Sequence, residues 1–196
     1  MKKIFSLFIF AVAAGFSLAA QETPSRPFNI SIQGGGLFSI NENSFSYSDN
    51  GKTMNLFTSQ GAIAFGYDFS QRFGIRISVS HGKNASACNV LQTSARGFYP
   101  YSFSSVNYFA DAMLDLGKEI SRFSPKLYIG IGGANTYNFT DSGHPWQKVS
   151  KNNAAFGFRG GFIAQYDFSD YFGIYADLCG EAYTDRYNGL IPTRDD

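Results

Sequence analysis

Two histidines are the side chains best suited to catalysis in this chain, and neither has the neighbours that catalysis requires. His81 follows Ser80 directly, and His144 stands in the Gly-His-Pro-Trp run at 143–146. Nucleophilic catalysis needs a base beside the nucleophile and a third group that orients the base. No spacing in the chain brings these three roles together, so we expect no catalytic residues and no enzyme activity.

Charged residues form a second candidate site. Two arginines and four carboxylates occur in segments where polar and apolar side chains alternate. Within a narrow interior such charges must form ion pairs, because an unpaired buried charge is costly. We therefore expect a lumen charge network made of Arg76, Asp111, Asp115, Arg159, Asp177 and Glu181.

Metal and cofactor chemistry is not indicated by the residue types. The 2 Cys and 2 His are too few for a Cys/His zinc site or a disulfide scaffold, and no EF-hand-like string is present. Cys88 and Cys179 lie in segments whose spacing disfavours a disulfide. We expect no metal and no cofactor.

Composition narrows the class of protein. The chain has 196 residues, with 16 Lys and Arg against 15 Asp and Glu and no basic run, which argues against nucleic-acid binding. Aromatic residues make up 17%, which argues against disorder. The length fits one domain, and many Gly, Phe and Tyr with few charges indicate a β-protein in unusual surroundings.

Residues 1–20 have the pattern of a secretory signal peptide. Lys2 and Lys3 precede an apolar core, and small residues precede Gln21. An uncleaved membrane anchor is the alternative for this segment. No other stretch approaches the roughly 18 apolar residues that a membrane helix needs, so a membrane location would require a closed barrel. We assign residues 21–196 to one barrel domain.

Seven segments have the pattern of β-strands. They are separated by alternating short and long connections, as in outer-membrane barrels. The short connections are 69–71, 118–124 and 169–170, and the long ones are 39–56, 83–103 and 139–152. The predicted strands are 28–38, 57–68, 72–82, 104–117, 125–138, 153–168 and 171–183.

An internal repeat supports these hairpins. Residues 67–75 read YDFSQRFGI and residues 166–174 read YDFSDYFGI, at an offset of 99. Asp-Phe-Ser favours a tight turn, because short polar side chains bond to nearby backbone. The offset of 99 residues corresponds to four predicted strands, which is half of an eight-stranded barrel.

The predicted strands alternate with a period of two. In the third segment Phe73, Ile75, Ile77 and Val79 share one face, whereas Arg76 lies on the other. No charge falls on the apolar parity in any segment where the two parities are clear. One face of the sheet is therefore uniformly apolar and the other polar.

Two kinds of barrel fit this pattern. A soluble, lipocalin-like barrel turns its apolar face inward around a ligand, and a membrane barrel turns it outward to lipid. Aromatic residues near the short turns, balanced charges on the polar face and its small residues favour the membrane barrel. The expected lipid-facing residues are Phe65, Ile75, Ile77, Leu114, Phe158, Phe162 and Ile174.

The signal peptide, the alternating strands, the two YDFS-x-x-FGI hairpins and the LYIGIGGA run at 127–134 resemble small outer-membrane barrels. They are similar to the OmpA-type and related porin-family proteins of Gram-negative bacteria, with a phenylalanine-rich character like that of the Bacteroides group. The resemblance implies an antiparallel up-and-down transmembrane β-barrel of eight strands. It also implies localisation in the cell outer membrane.

The count of seven strands departs from this family, in which an even number is expected. The last nine residues read as a loop rather than as a closing strand. We therefore expect the chain to stop before its eighth strand. A periplasmic peptidoglycan-binding domain could follow in a longer parent.

The resulting functional expectation is a monomeric outer-membrane barrel with a structural or surface-interacting role. Its expected partners are outer-membrane lipid and, at the loop segments 94–103 and 135–147, extracellular proteins or glycans. A narrow porin, a barrel enzyme acting on lipid and a soluble ligand-binding barrel are the alternatives.

Overall fold

A computed structural model describes residues 27–38, 57–90, 97–117, 122–140, 152–169, 171–184 and 187. The signal-like segment, His144 and the last nine residues lie outside these ranges. Seven strands are present: β1 (Phe28–Phe38), β2 (Phe57–Asp68), β3 (Phe73–Val90), β4 (Gly97–Asp115), β5 (Phe123–Tyr137), β6 (Asn152–Asp167) and β7 (Gly173–Tyr183).

The strands form one antiparallel sheet in which each strand pairs with its neighbour in sequence. This order confirms the predicted all-β meander. Within the described residues, β1 pairs with β2 alone and β7 with β6 alone, so the sheet has two edges. None of the described segments is a helix long and apolar enough to cross a membrane.

The prediction of a long loop at 83–103 is wrong. The β3 strand continues to Val90 and β4 already begins at Gly97, and the two are in register from Phe73–Leu114 to Val90–Gly97. The polar residues in 83–90 led to the prediction of a loop. Backbone pairing in a hairpin does not require apolar side chains, so these residues can still form a strand. Tyr101 and Phe103 are buried on the inner face of this extension, where they give the hairpin packing partners.

The strands are strongly tilted relative to the axis around which the sheet curls. A row of register partners starts at Asp68 in β2 and crosses the sheet to Gly161 in β6. The residue of the second repeat that corresponds to Asp68 is Asp167, which lies six residues after Gly161. With about 3.3 Å per residue and about 4.8 Å between strands, this stagger over four strands corresponds to a tilt of about 45°.

Side-chain contacts show that the sheet curls into a half-barrel. Arg76 Nη1 in β3 lies 3.4 Å from Asp177 Oδ2 in β7, although three strands separate them in the sheet. The concave face carries the polar parity, with Arg76, Ser78 and Asp111 buried. The convex face carries the apolar parity.

The two sequence repeats form the same turn. Ser70 Oγ accepts hydrogen bonds from the backbone N–H of Arg72 at 3.3 Å and of Phe73 at 3.0 Å. Ser169 Oγ accepts equivalent bonds from Tyr171 and Phe172 at the same two distances. The serine hydroxyl therefore fixes each turn by satisfying two backbone donors.

Each repeat also requires a glycine. Gly74 is the register partner of Asp68, and Gly173 is the partner of Asp167. In both pairs the aspartate carboxylate occupies the space that a Cβ on the glycine would need. The Asp and the Gly of the repeat are therefore a matched pair.

Replacing Gly74 with Ala should lower the free energy of unfolding by roughly 1 kcal/mol, because the new methyl displaces the Asp68 carboxylate and lies 3.0 Å from the Tyr67 carbonyl oxygen. Denaturant unfolding of the full chain measures the loss. The control is Gly34→Ala, since a Cβ at Gly34 has no heavy atom within 4 Å. Equal losses in the two variants would contradict this account of the repeat.

Candidate functional site

The inner face at mid-height carries a charge network centred on Asp111. Arg76 Nε donates to Asp111 Oδ2 at 2.7 Å, and Arg159 Nε donates to Asp111 Oδ1 at 2.7 Å. Arg159 Nη2 also donates to Oδ2 at 2.5 Å. The Asp111 side chain is 0% exposed, and each arginine side chain is 7% exposed. These are charge-assisted bonds in a largely desolvated place.

Strand register explains how the three residues meet. A single row of the sheet runs from Arg76 through Asp111 and Gly130 to Arg159 and Glu181, from β3 to β7. A Cβ at Gly130 would overlap Asp111 Oδ1, so the glycine leaves the space above β5 free. Arg159 crosses that space to reach the carboxylate.

Two carboxylates of β7 complete the network. Asp177 Oδ2 lies 3.4 Å from Arg76 Nη1, and Tyr128 Oη donates to Asp177 Oδ1 at 2.8 Å. Glu181 Oε1 lies 3.9 Å from Arg159 Nη1, and Glu181 Oε2 accepts from Tyr183 Oη at 2.7 Å. Side chains of the network therefore connect all the strands from β3 to β7.

Aromatic rings support both guanidinium groups. Arg76 Cζ lies 4.3 Å from the centroid of the Tyr128 ring, and Arg159 Cζ lies 4.5 Å from that of Phe109. A planar guanidinium over a ring gains cation–π attraction, which is larger where solvent is excluded. Arg159 Nη2 also donates to Ser78 Oγ at 2.5 Å.

The structure brings five of the six expected network residues together and leaves Asp115 apart. Asp115 lies four residues closer to the short-turn end than Asp111. There its Oδ2 is 3.8 Å from Lys126 Nζ, and its carboxylate accepts hydrogen bonds from Ser124 Oγ and the Gly117 N–H. Its place in the Arg76–Arg159 network is therefore corrected to a separate pair with Lys126.

Tyr128, Phe109 and Ser78 belong to the network but were missing from the sequence-based set. All three lie on the polar parity of their strands. Alternation along β5 places Tyr128 on the same face as Gly130. This position on the polar face was what the sequence could indicate. Their partners could not be identified, because these contacts depend on the curl of the sheet.

The residues expected to face lipid lie on the opposite face of the sheet from the network. Leu114 is half-buried and the others are exposed. The set is Phe65, Ile75, Ile77, Leu114, Phe158, Phe162 and Ile174.

A second inner cluster lies toward the long connections. Tyr101 and Phe103 are buried there against Phe139 and Tyr187. Tyr187 Oη donates to Asn84 Oδ1 at 3.1 Å. Burial raises the pKa of Tyr187 to about 12, so its hydroxyl remains a donor at neutral pH.

The remaining reactive side chains have the following surroundings. His81 Nδ1 lies 3.1 Å from the backbone oxygen of Ser105 and 3.2 Å from Tyr137 Oη. Cys179 is a free thiol, and the side chain of Cys88 lies outside the described residues. Within the described ranges, no three His, Cys, Asp or Glu side chains are grouped as metal ligands.

No protein-family model, no curated protein and no solved structure matches this chain. The site is therefore interpreted from its geometry. The arrangement offers paired charges stacked on aromatic rings across a concave face. These ion pairs and hydrogen bonds occupy the concave side and link strands that are not neighbours in the sheet.

Replacing Asp111 with Asn should lower the free energy of unfolding by roughly 3–5 kcal/mol, because two buried arginines lose their shared anion. Asp115→Asn is the matched control. The Asp115 side chain is 22% exposed and has one cationic partner, so its replacement should cost less, roughly 1–2 kcal/mol. Denaturant titrations in the same medium measure both variants, and similar losses would show that Asp111 is not the centre of the network.

Proposed function

We propose that this protein is a monomeric outer-membrane β-barrel with a structural or surface-interacting role. Its interior is filled by the charge network and the aromatic cluster. The observation that carries the proposal is the distribution of polarity at mid-height: the charge network lies on the concave face, and the convex face is lined with exposed apolar side chains.

The convex face favours contact with lipid. Ile32 is 80% exposed, Leu178 is 78% exposed and Phe158 is 58% exposed, and they belong to a continuous apolar surface across the sheet. Soluble monomers rarely expose contiguous apolar patches beyond a few hundred Å². A soluble ligand-binding barrel would instead turn this face inward, which makes that alternative less favourable.

The height of the apolar surface also fits a bilayer. On β4 and the residue after it, each outward side chain from Val106 to Leu116 is aliphatic or aromatic. At about 3.3 Å per residue and a tilt of about 45°, this segment spans about 23 Å, close to the ≈ 25 Å band of membrane barrels. The next outward row, on the side of the 91–96 connection, is polar and contains the register partners Lys83, Ser104, Tyr137 and Asn152.

Strand geometry supports an eight-stranded closure. The tilt of about 45° is within the range of small barrels. The edge strands β1 and β7 run in the same direction, because they are separated by an even number of antiparallel steps. One further strand, antiparallel to both, would pair with each edge and give the even number typical of bacterial membrane barrels.

The secretory pattern of residues 1–20 supports delivery across the inner membrane. The two longest connections between strands, 39–56 and 138–151, lie at the same end of the sheet, which supports a defined orientation. The short turns would face the periplasm and the long connections would face outward. Surface interaction with proteins or glycans is assigned to the long connections. A narrow porin is the second candidate, because the inner face is polar throughout mid-height.

Replacing Phe158 with Arg should reduce folding into lipid vesicles, at a cost of roughly 2–4 kcal/mol near the bilayer midplane. The control is Ser104→Arg, in the polar row, where the cost should fall to roughly 0–1 kcal/mol. Titrating the lipid-folded protein with denaturant measures both variants. If the chain folds as a monodisperse protein in buffer without lipid or detergent, the membrane proposal is wrong.

The wild-type protein, reconstituted in a planar lipid bilayer, should produce no steady unitary current. An eight-stranded barrel is only wide enough to be filled by its side chains, and here paired arginines and rings occupy the middle. Electrical recording at symmetrical salt tests this expectation. A reproducible ohmic conductance would favour the narrow porin over the filled barrel.

A further inference from the structure

The upper inner face contains a slot that is shaped around a phenol ring. It is formed by Asn84 of β3, Phe103 and Ser105 of β4 and Tyr183 of β7, and we call these four residues the mouth slot. Its occupant is Tyr187, which lies four residues beyond the end of β7. The occupant is therefore supplied by a residue outside the sheet.

The aromatic walls of the mouth slot hold the ring of Tyr187 on two sides. The Tyr183 ring stacks on it with centroids 4.0 Å apart and an interplanar angle of 6°. Phe103 meets it edge-on, with centroids 5.5 Å apart and an angle of 78°. Stacked and edge-on contacts are the two favourable arrangements of aromatic pairs.

The polar end of the mouth slot is prearranged for a hydroxyl group. Tyr187 Oη lies 3.1 Å from Asn84 Oδ1 and 3.3 Å from Ser105 Oγ. Asn84 Nδ2 donates to Ser105 Oγ at 2.9 Å, which turns Asn84 Oδ1 toward the phenol. Asn84 is 2% exposed and Ser105 is 0% exposed, so both polar atoms are held in an environment where a lost partner is costly.

Among the described contacts of Tyr187, the backbone bond stays within its own turn, whereas the side chain reaches β3 and β4. The Tyr187 N–H donates to the Thr184 carbonyl at 2.9 Å, within its own turn. The contacts that reach β3 and β4 are made by the ring and its hydroxyl. A competing ring can therefore replace these contacts without breaking a strand ladder.

Some polar atoms beside the mouth slot have no hydrogen-bond partner among the residues that the structure describes. They are the Thr136 hydroxyl and both amide atoms of Asn107. Thr136 is the register partner of Ser105, and Asn107 follows Ser105 on the same face of β4. Each residue is 1% exposed, and a buried polar group without a partner is costly, so a bound group that supplied a partner would be favoured.

We propose that the mouth slot is a binding site for a phenolic small molecule, and that Tyr187 is its resident substitute. The ligand's ring would stack on Tyr183 and its hydroxyl would donate to Asn84 Oδ1. A second polar group on the ring would reach Thr136 and Asn107. The four residues of the slot all lie on the inner face, so ligand binding is independent of what covers the convex face.

Titration of the isotope-labelled full-length protein with p-cresol tests the proposal. The amide signals of Asn84 and Ser105 report on occupancy by nuclear magnetic resonance, and toluene is the control ligand without a hydroxyl. Saturable shifts with p-cresol but not with toluene are expected in the wild type. The apparent affinity for p-cresol should rise at least tenfold in Tyr187→Ala, because the internal competitor is removed.

Two further variants keep the test decisive. Tyr187→Phe retains the ring and loses the two hydroxyl contacts, so p-cresol should bind severalfold more tightly than to the wild type, even if Tyr187→Ala does not fold. Asn84→Leu should abolish the preference for p-cresol over toluene. If p-cresol binds Tyr187→Ala but never the wild type up to its solubility limit, Tyr187 is a permanent anchor and the proposal fails. Equal shifts with toluene and p-cresol would also overturn it.

Discussion

The carboxylate of Asp111 accepts hydrogen bonds from two arginines that belong to different strands, and no solvent reaches it. A buried anion of this kind is stable only while both cations remain in place. The curl of the sheet is therefore coupled to the network, because Arg159 reaches Asp111 across β5 only when β4 and β6 converge on the concave side. Gly130 keeps that path free of a side chain.

The same pairing accounts for the distribution of polarity. Once the charges occupy the concave face, the period of two places every alternate side chain on the convex face. At mid-height that face carries exposed, large apolar side chains from β1 to β7. The aromatic cluster around Tyr101 and Phe103 supplies the described apolar packing inside, at the end toward the long connections.

Local pattern predicted much of the fold. The bounds of β1 and β2 match the predicted segments, and the other strands except β3 and β4 differ by at most two residues at each end. The extension of β3 and β4 was missed, because its polar residues resemble a loop and its stability comes from cross-strand pairing. In the charge network, Arg76 and Asp111 are direct register partners, whereas Asp115 was placed with them by parity alone.

The sequence by itself determined the alternation of the strands, the separation of charges from apolar side chains and the two repeated turns. These depend on local backbone geometry and on spacing, which a single chain displays directly. The tertiary structure decided which face became concave, which carboxylate the two arginines share and which ring occupies the mouth slot. Those outcomes depend on the curl of the sheet, since it brings β7 and Tyr187 within hydrogen-bond distance of β3 across the three strands that lie between them.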